Sequence, residues 1–122
     1  MIIDVAAFVG AWPSHPVHGR IDTVVESLKA VGVDRVMCSP LDGVWCRNPH
    51  LYNGLLYETC SEHEDLLAVP IIDPTLATWP AEIGEAVRSG VSAIRVLPNY
   101  HSYALAMSTV LCGMRSSMQG WW

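Results

Sequence analysis

The residues of this sequence that are best suited to bind or transform a ligand lie at the end of a short apolar segment, in the stretch RVLPNYH. It contains Arg95, Asn99, Tyr100 and His101, whose side chains can all donate hydrogen bonds. A guanidinium group stays charged and pairs well with a carboxylate, often through two parallel hydrogen bonds. We therefore predict that these residues bind a small carboxylate substrate.

Alternative interpretations of this segment stay open. A charged residue on a buried strand needs a partner, so an internal salt bridge from Arg95 to Asp4 or Asp73 is as well supported as substrate binding. Asn99 follows a proline, as in many turns, but three consecutive hydrogen-bonding side chains exceed what a turn requires. Asp73 precedes a proline, and for this residue we favour turn formation over a role in a site.

The remaining histidines are dispersed along the chain. His15 and His18 share one loop and His50 begins a helix, so their imidazoles could meet His101 at one rim. No carboxylate lies near the loop pair to orient it, which favours solvated side chains over metal ligands. His63 lies in an acidic run and is predicted to be a solvated helix end.

The cysteines are spaced irregularly, without a Cys-x-x-Cys pair. This pattern argues against a structural zinc site and against a disulfide framework. We predict reduced thiols that pack as small apolar residues. They are Cys38, Cys46, Cys60 and Cys112.

Composition excludes several classes of partner. The chain has 122 residues, of which 51% are hydrophobic, and a formal net charge of -5. Without a Lys/Arg cluster it lacks the electrostatic footprint of a nucleic-acid-binding protein. It also lacks the roughly 20 consecutive apolar residues that span a bilayer, and no signal sequence is evident, so we expect a cytoplasmic protein without membrane contact.

The elements that must position these residues alternate between strand and helix. Short continuous apolar runs are typical of parallel strands covered on both faces. Amphipathic segments lie between them, with Asp22, Asn48 and Thr78 as predicted helix caps and Gly32 and Gly90 as predicted helix ends. The predicted strands are 2–9, 33–39, 66–72 and 91–97.

About four βα units in succession fit either an open doubly wound sheet or part of a (β/α)8 barrel. The segments 10–21 and 40–47 are long and leave the carboxyl ends of strands, where both architectures place their sites. Trp12 and Trp45, on these two loops, are predicted to pack as lids rather than to stack on a cofactor. No glycine-rich nucleotide fingerprint follows any strand, which disfavours the nucleotide-binding open sheets.

Several segments resemble the N-terminal half of amidohydrolase-related proteins, in the metal-dependent hydrolase superfamily that also contains decarboxylases. The resemblance covers Met1 to about Leu105 and is carried by MIIDVAAFVGAWP, GVDRVMCSPLDGVWCRNP, LLAVPIIDPTLATWPAEIGEAV and GVSAIRVLPNYHSYAL. It implies a partial TIM-like (β/α)8 barrel with a parallel sheet, and a hydrolase or decarboxylase-like lyase. On strand four the family can offer a lysine at a position that resembles Arg95.

The resemblance also implies a zinc or other divalent metal site, but this sequence lacks the two histidine ligands of the first strand. The family's first strand ends in Asp-x-His-x-His, whose histidines on alternate residues can reach one cation. Asp4 matches the aspartate, but Ala6 and Phe8 occupy the histidine positions and cannot ligate a metal. We therefore predict no metal and no other cofactor in this chain.

The segment 106–122 differs from the rest of the chain. No acidic residue follows Glu85, and a fourth helix over 103–115 would be poor because of Gly113 and its serines. We interpret residues 1–105 as the barrel half and 106–122 as the product of a truncation or frame change.

A half-barrel leaves unpaired strand edges and an uncovered apolar face. We therefore expect a homodimer, or pairing with a missing barrel half. The alternative to an enzyme is a catalytically inactive half-barrel that binds a ligand or acts as a self-associating scaffold.

Overall fold

The structure is a computed structural model that describes residues 1–16 and 18–104. Its sheet contains β1 (Ile3–Ala11), β2 (His18–Gly19), β3 (Arg35–Pro40) and β4 (Leu66–Ala68) in the order β2-β1-β3-β4. Strands β1, β3 and β4 are parallel, whereas β2 pairs antiparallel with the end of β1. The predicted α/β class and parallel sheet are confirmed. The predicted tail and nearly all of the predicted fourth helix lie outside the described residues.

The helices follow the strands as the sequence predicts. They are α1 (Ile21–Ala30), α2 (Asp42–Trp45), a 3-10 turn (Pro49–Tyr52), α3 (Asn53–Ser61), α4 (Trp79–Arg88) and α5 (Pro98–His101). Positive φ angles of 90° at Gly32 and 71° at Gly90 end α1 and α4 in the conformation that glycine tolerates best.

The predicted capping by Asp22 and Thr78 is wrong in its details. Arg20 is the N-cap of α1 and makes no side-chain capping bond, while Asp22 lies in the first turn, where its charge suits the helix dipole. Thr78 is the N-cap of α4, but its hydroxyl contacts His50 instead of the helix backbone. Asn48 does cap as predicted, because its side chain accepts a hydrogen bond from the His50 N–H.

The predicted fourth strand is reduced to one parallel bridge between Ile71 and Arg95. The Ile72 N–H donates to the Arg95 carbonyl at 2.8 Å, and the Arg95 N–H donates to the Pro70 carbonyl at 2.9 Å. Pro70 has no N–H to extend β4, and Pro98 begins a helix, so prolines limit both segments. The parallel partners nevertheless follow one another across the sheet in chain order.

Apolar side chains fill both sides of the sheet. Between the sheet and helices α1 and α3, Val36 and Cys38 pack against Leu56 and Cys60. A second cluster at the carboxyl end of the strands contains Leu41, Val44 and Ile71, with Phe8, Trp12 and Trp45 against it. Helix α4 covers Ile72 through Ile83. Among the residues that the structure describes, no helix has the length and apolar character required to cross a membrane.

Strand β1 contains an irregularity near its middle. Asp4 pairs with Val36, but the next register partners are Ala7 and Cys38, so β1 carries one extra residue there. The carboxylate of Asp4 accepts a hydrogen bond from the Ala6 N–H at 2.8 Å, within this bulge. Beyond it, Ala7 packs toward the helices, whereas Phe8 packs with the cluster at the carboxyl end. The bulge thus sets which side chains of β1 face each side of the sheet.

Candidate functional site

A buried polar network lies beneath the carboxyl end of the sheet and connects α3 to the strand segment at Ile71. The Asn53 side-chain NH2 donates to the Ile71 carbonyl at 2.9 Å, and its Oδ1 accepts from the Ile71 N–H at 3.0 Å. Ser39 donates its hydroxyl to the Val69 carbonyl at 2.6 Å. These side chains replace strand-to-strand bonds where β4 has ended, so the chain stays ordered as it approaches Asp73.

His50 is held in one tautomer by this network. Its Nε2 accepts a hydrogen bond from the Asp73 N–H at 3.1 Å, so the proton must lie on Nδ1. Nδ1 then donates to the Thr78 hydroxyl at 2.9 Å. Burial lowers the pKa of His50, although the carboxylates of Glu82 and Asp73 oppose that shift. A neutral imidazole with both nitrogens occupied is a structural link and not a free acid or base.

Asp73 is buried, and its carboxylate organises the turn that follows. Oδ1 accepts hydrogen bonds from the Thr75 N–H at 2.9 Å and from the Thr75 hydroxyl at 2.7 Å. This is the turn chemistry that the Asp-Pro pair predicts. No hydrogen bond to Oδ2 is present in the described part of the chain. One carboxylate oxygen therefore remains available at the carboxyl end of the sheet.

An open cleft of about 470 Å³ lies beside Asp73. Tyr100 and His101 from α5 line it, together with Trp45 at the end of α2 and Arg47 just after that helix. The cleft therefore collects side chains that follow three successive strand positions of the sheet. This is the end of a parallel sheet at which α/β proteins place ligand sites.

Polar atoms around this cleft lack hydrogen-bond partners within the described ranges. The His101 Nε2–H donates to the Gly43 carbonyl at 3.0 Å, which leaves Nδ1 as a buried atom without a partner. The Trp45 indole N–H and the Tyr103 hydroxyl are likewise buried without a hydrogen-bond partner in the described part of the chain. Burial raises the pKa of Tyr103, with a smaller contribution from Asp73 nearby. Buried groups of this kind are expected to be satisfied by a ligand or by water.

Aromatic rings form one wall at this end of the molecule. Trp12 and Trp45 meet edge to face with ring centroids 3.8 Å apart, and Trp45 meets Tyr100 in the same way at 5.8 Å. Both tryptophans also pack against the apolar cluster of Leu41 and Ile71. This arrangement fits the packing role predicted for the two tryptophans.

Arg95 lies on a different part of the sheet from the cleft. Its guanidinium carbon is 4.5 Å from the centroid of the Phe8 ring, and its Nη2 donates to the Val5 carbonyl at 2.7 Å. Burial lowers the pKa of Arg95, with Cys38 and Asp4 opposing the shift. Nη1 is buried without a partner among the described residues. The predicted alternative, a salt bridge to Asp4 or Asp73, is absent from the described part of the structure.

The structure separates the predicted site residues into two groups. Tyr100 and His101 share the cleft, whereas Arg95 contacts β1 and does not line it. Asn99 is exposed. Asp73 joins the cleft although the sequence favoured only a turn there. The position of Asp73 directly after a buried strand was the sequence signal that could have identified it as a residue of the cleft.

Two further buried residues belong to this region: His50, one of the histidines that the sequence suggested could meet His101, and Asn53, which carried no sequence signal for a site. The buried amide of Asn53 and the buried imidazole of His50 lie next to a helix start, where such residues are usually solvated. His15, from the predicted solvated pair, is exposed. No group of three or more His, Cys, Asp or Glu side chains within residues 1–16 and 18–104 is placed to hold a metal ion.

No protein-family model, curated protein or solved structure matches this chain. The resemblance to amidohydrolase-related proteins therefore stays a prediction from the sequence segments.

Proposed function

We propose that this chain is the substrate-binding half of an amidohydrolase-like barrel, a hydrolase or decarboxylase-like lyase in which Arg95 holds the carboxylate of a small substrate. The observation that carries the proposal is the guanidinium itself. It is desolvated against Phe8, it has an unpartnered nitrogen, and no described carboxylate forms an ion pair with it. A partly buried charge without a counter-ion is costly, and a bound carboxylate would neutralise it.

The curvature of the sheet supports the barrel part of the proposal. Arg95 belongs to the fourth strand position, yet its side chain reaches Val5 and Phe8 on β1. In a flat sheet with strands about 4.8 Å apart, positions one and four would be about 14 Å apart, beyond the reach of one arginine. The parallel partners also follow chain order, as they do in a singly wound barrel.

Tyr100 and His101 are proposed to contact the remainder of the substrate. Phe8, against which Arg95 packs, and Trp45, which lines the cleft, belong to one apolar cluster with Ile71, so the two places border the same packed region. The His101 Nδ1 carries a free lone pair because Nε2 holds the proton. It can therefore accept a hydrogen bond or a proton from a ligand.

The family's metal chemistry does not fit the residues of this chain. Phe8 lies under Arg95, and Ala6 has no donor atom, so neither can replace a histidine ligand. The proposed carboxylate binding depends on the guanidinium alone.

The test measures ligand binding by isothermal titration calorimetry with a panel of small aliphatic and aromatic carboxylates and their uncharged amides. We expect the wild-type chain to bind carboxylates and not the amides. Arg95→Met should weaken binding at least tenfold, and Arg95→Lys less. Arg20→Met is the matched control, because Arg20 is exposed in α1's N-cap position. Equal binding by wild type and Arg95→Met would refute the proposal.

An activity assay separates the enzyme from the second candidate, a ligand-binding or self-associating scaffold. Turnover of an ester, an amide or a β-keto acid that requires Arg95 would support the enzyme. The scaffold is favoured by the exposed apolar side chains of Ile3 and Val5 on β1, which offer a surface for a second copy. Carboxylate binding without turnover would identify the scaffold.

A further inference from the structure

Two buried cysteines contact one another across the interface between the sheet and α3. The Sγ atoms of Cys38, on β3, and Cys60, in the last turn of α3, are 3.6 Å apart. Both are free thiols in the structure. Because the residues are far apart in sequence, only the fold brings them into contact.

A cavity provides access to this pair. It measures about 390 Å³ and is lined by Cys60 together with Tyr57, Ser61, Leu67 and Val91. Cys38 lies behind Cys60 and is fully buried. A small oxidant such as a peroxide can therefore approach the pair from the side of Cys60.

The environment of the pair divides the chemical roles between the two thiols. The hydrogen bond that Cys60 donates lowers the pKa of Cys38, opposed by burial and assisted by Arg95. The same hydrogen bond raises the pKa of Cys60, as does burial. Of the two thiols, Cys38 therefore loses its proton more readily, and its sulfur is the better nucleophile.

We propose that Cys38 and Cys60 form a peroxide-sensitive thiol pair that closes to an intramolecular disulfide between β3 and α3. Cys38 loses its proton to solvent, and its thiolate attacks one oxygen of the peroxide. The O–O bond breaks, a sulfenic acid forms on Cys38, and the hydroxide released takes the proton of Cys60 to become water. The Cys60 sulfur then attacks the Cys38 sulfur, the S–O bond breaks, and the hydroxide that leaves takes up a proton from solvent to become a second water. The two thiols lose two electrons, which the peroxide gains.

The test treats the folded chain with one equivalent of hydrogen peroxide, removes the peroxide, unfolds the chain in urea, blocks the remaining thiols with iodoacetamide, and maps disulfides by mass spectrometry without reduction. Trypsin leaves Cys38 and Cys46 in one peptide, so a second cleavage at Asp42 is required to separate them. We expect a cross-linked peptide that joins Cys38 to Cys60, with a mass about 2 Da below the sum of its reduced parts. Dithiothreitol should restore both thiols.

The matched controls distinguish proximity in the fold from general reactivity. Cys46→Ser should leave the cross-link intact, because Cys46 contacts Tyr52 instead of the pair. The urea-unfolded wild-type chain should give mixed pairings among its four cysteines. This comparison uses no substitution at Cys38 or Cys60, so it does not depend on whether a variant with an altered core folds.

Two results would overturn the inference. One is full alkylation of Cys38 and Cys60 after peroxide treatment of the folded chain. The other is a disulfide that uses Cys46 or Cys112, or that joins two chains, in place of the predicted one.

Discussion

The side chain of Asn53 satisfies both hydrogen-bonding groups of the Ile71 backbone. Its amide nitrogen lies 2.9 Å from the Ile71 carbonyl oxygen, and its Oδ1 lies 3.0 Å from the Ile71 nitrogen. A helix side chain thus takes the place of a neighbouring strand at the point where β4 has ended. Both residues are fully buried, so water cannot provide these bonds if the amide is removed.

We expect Asn53→Ala to lower the free energy of unfolding by about 2 to 4 kcal/mol, because it leaves a buried N–H and a buried carbonyl without partners. Urea denaturation followed by circular dichroism measures the change. Asn99→Ala is the control, since Asn99 is exposed and its loss should cost less than about 0.5 kcal/mol. Equal losses in the two variants would contradict a structural role for the Asn53 amide.

His50 predicts a pH dependence of stability. Burial lowers its pKa below the ordinary value of 6.5, so the unfolded chain binds a proton at this residue more readily than the folded chain. The contribution of the neutral His50 to the free energy of unfolding is therefore fully present above about pH 6.5 and is lost as the pH falls toward the folded-state pKa. Thermal unfolding at a series of pH values between about 8 and 5 should show a decreasing midpoint in the acidic half.

The variant His50→Gln isolates this contribution. Glutamine can donate to Thr78 and accept from the Asp73 N–H, but it cannot take up a proton. We expect its unfolding midpoint to depend less on pH than that of wild type. His15→Gln should retain the full wild-type dependence, because His15 is exposed. Parallel profiles for wild type and His50→Gln would show that another group is responsible.

Gly10 and Gly32 form a matched pair for testing the close approach of β1 to the segment after β3. Both have positive φ angles, 132° and 90°. A Cβ on Gly10 would lie 2.9 Å from Asp42 Oδ2 and 3.1 Å from Leu41 Cβ, whereas one on Gly32 would meet nothing within 4 Å. We expect Gly32→Ala to cost about 1 kcal/mol from backbone strain and Gly10→Ala about 1 to 3 kcal/mol more.

Chemical denaturation of the two glycine variants measures that difference directly. Because both substitutions add one methyl group at a positive φ angle, the excess cost at Gly10 reports the steric contact together with the difference in backbone strain between 132° and 90°. An equal loss would mean that the loop carrying Leu41 moves away without cost.

Sequence patterns could predict the βα alternation because each predicted strand is a continuous apolar run, and because glycines or capping residues mark ends of the helices between them. Gly32, Gly90 and Asn48 acted as those patterns require. The fourth strand was overpredicted, because apolar composition does not reveal how many backbone bonds a segment makes. Only one bridge, at Arg95, forms among the described residues of that segment.

The site was predictable only where position along a strand determines it. Tyr100 and His101 meet at the carboxyl end of the sheet because both follow the fourth apolar segment. The contact of Arg95 with Phe8 depends on the curvature of the sheet and on the bulge in β1, neither of which has a local sequence signal. The buried roles of His50 and Asn53 depend likewise on long-range packing.

The exposed edge of β1 leads to the last prediction, which concerns self-association. Within the described residues, the outer edge of β1 pairs only at Gly10 and Ala11, with β2. Farther along the strand the side chain of Val5 is 62% exposed, and that of Ile3 is also exposed. An unpaired edge with apolar side chains favours pairing with another chain.

We expect the chain to dimerise at micromolar concentration in sedimentation-velocity experiments, and Val5→Lys to weaken the dimer at least tenfold. A charged side chain opposes edge pairing, while the Val5 carbonyl that Arg95 contacts is unchanged. Val31→Lys is the control, because Val31 is 74% exposed but follows α1, away from the edge. A compact wild-type monomer would refute the predicted dimer, and equal weakening by Val31→Lys would attribute association to general hydrophobicity instead of β1.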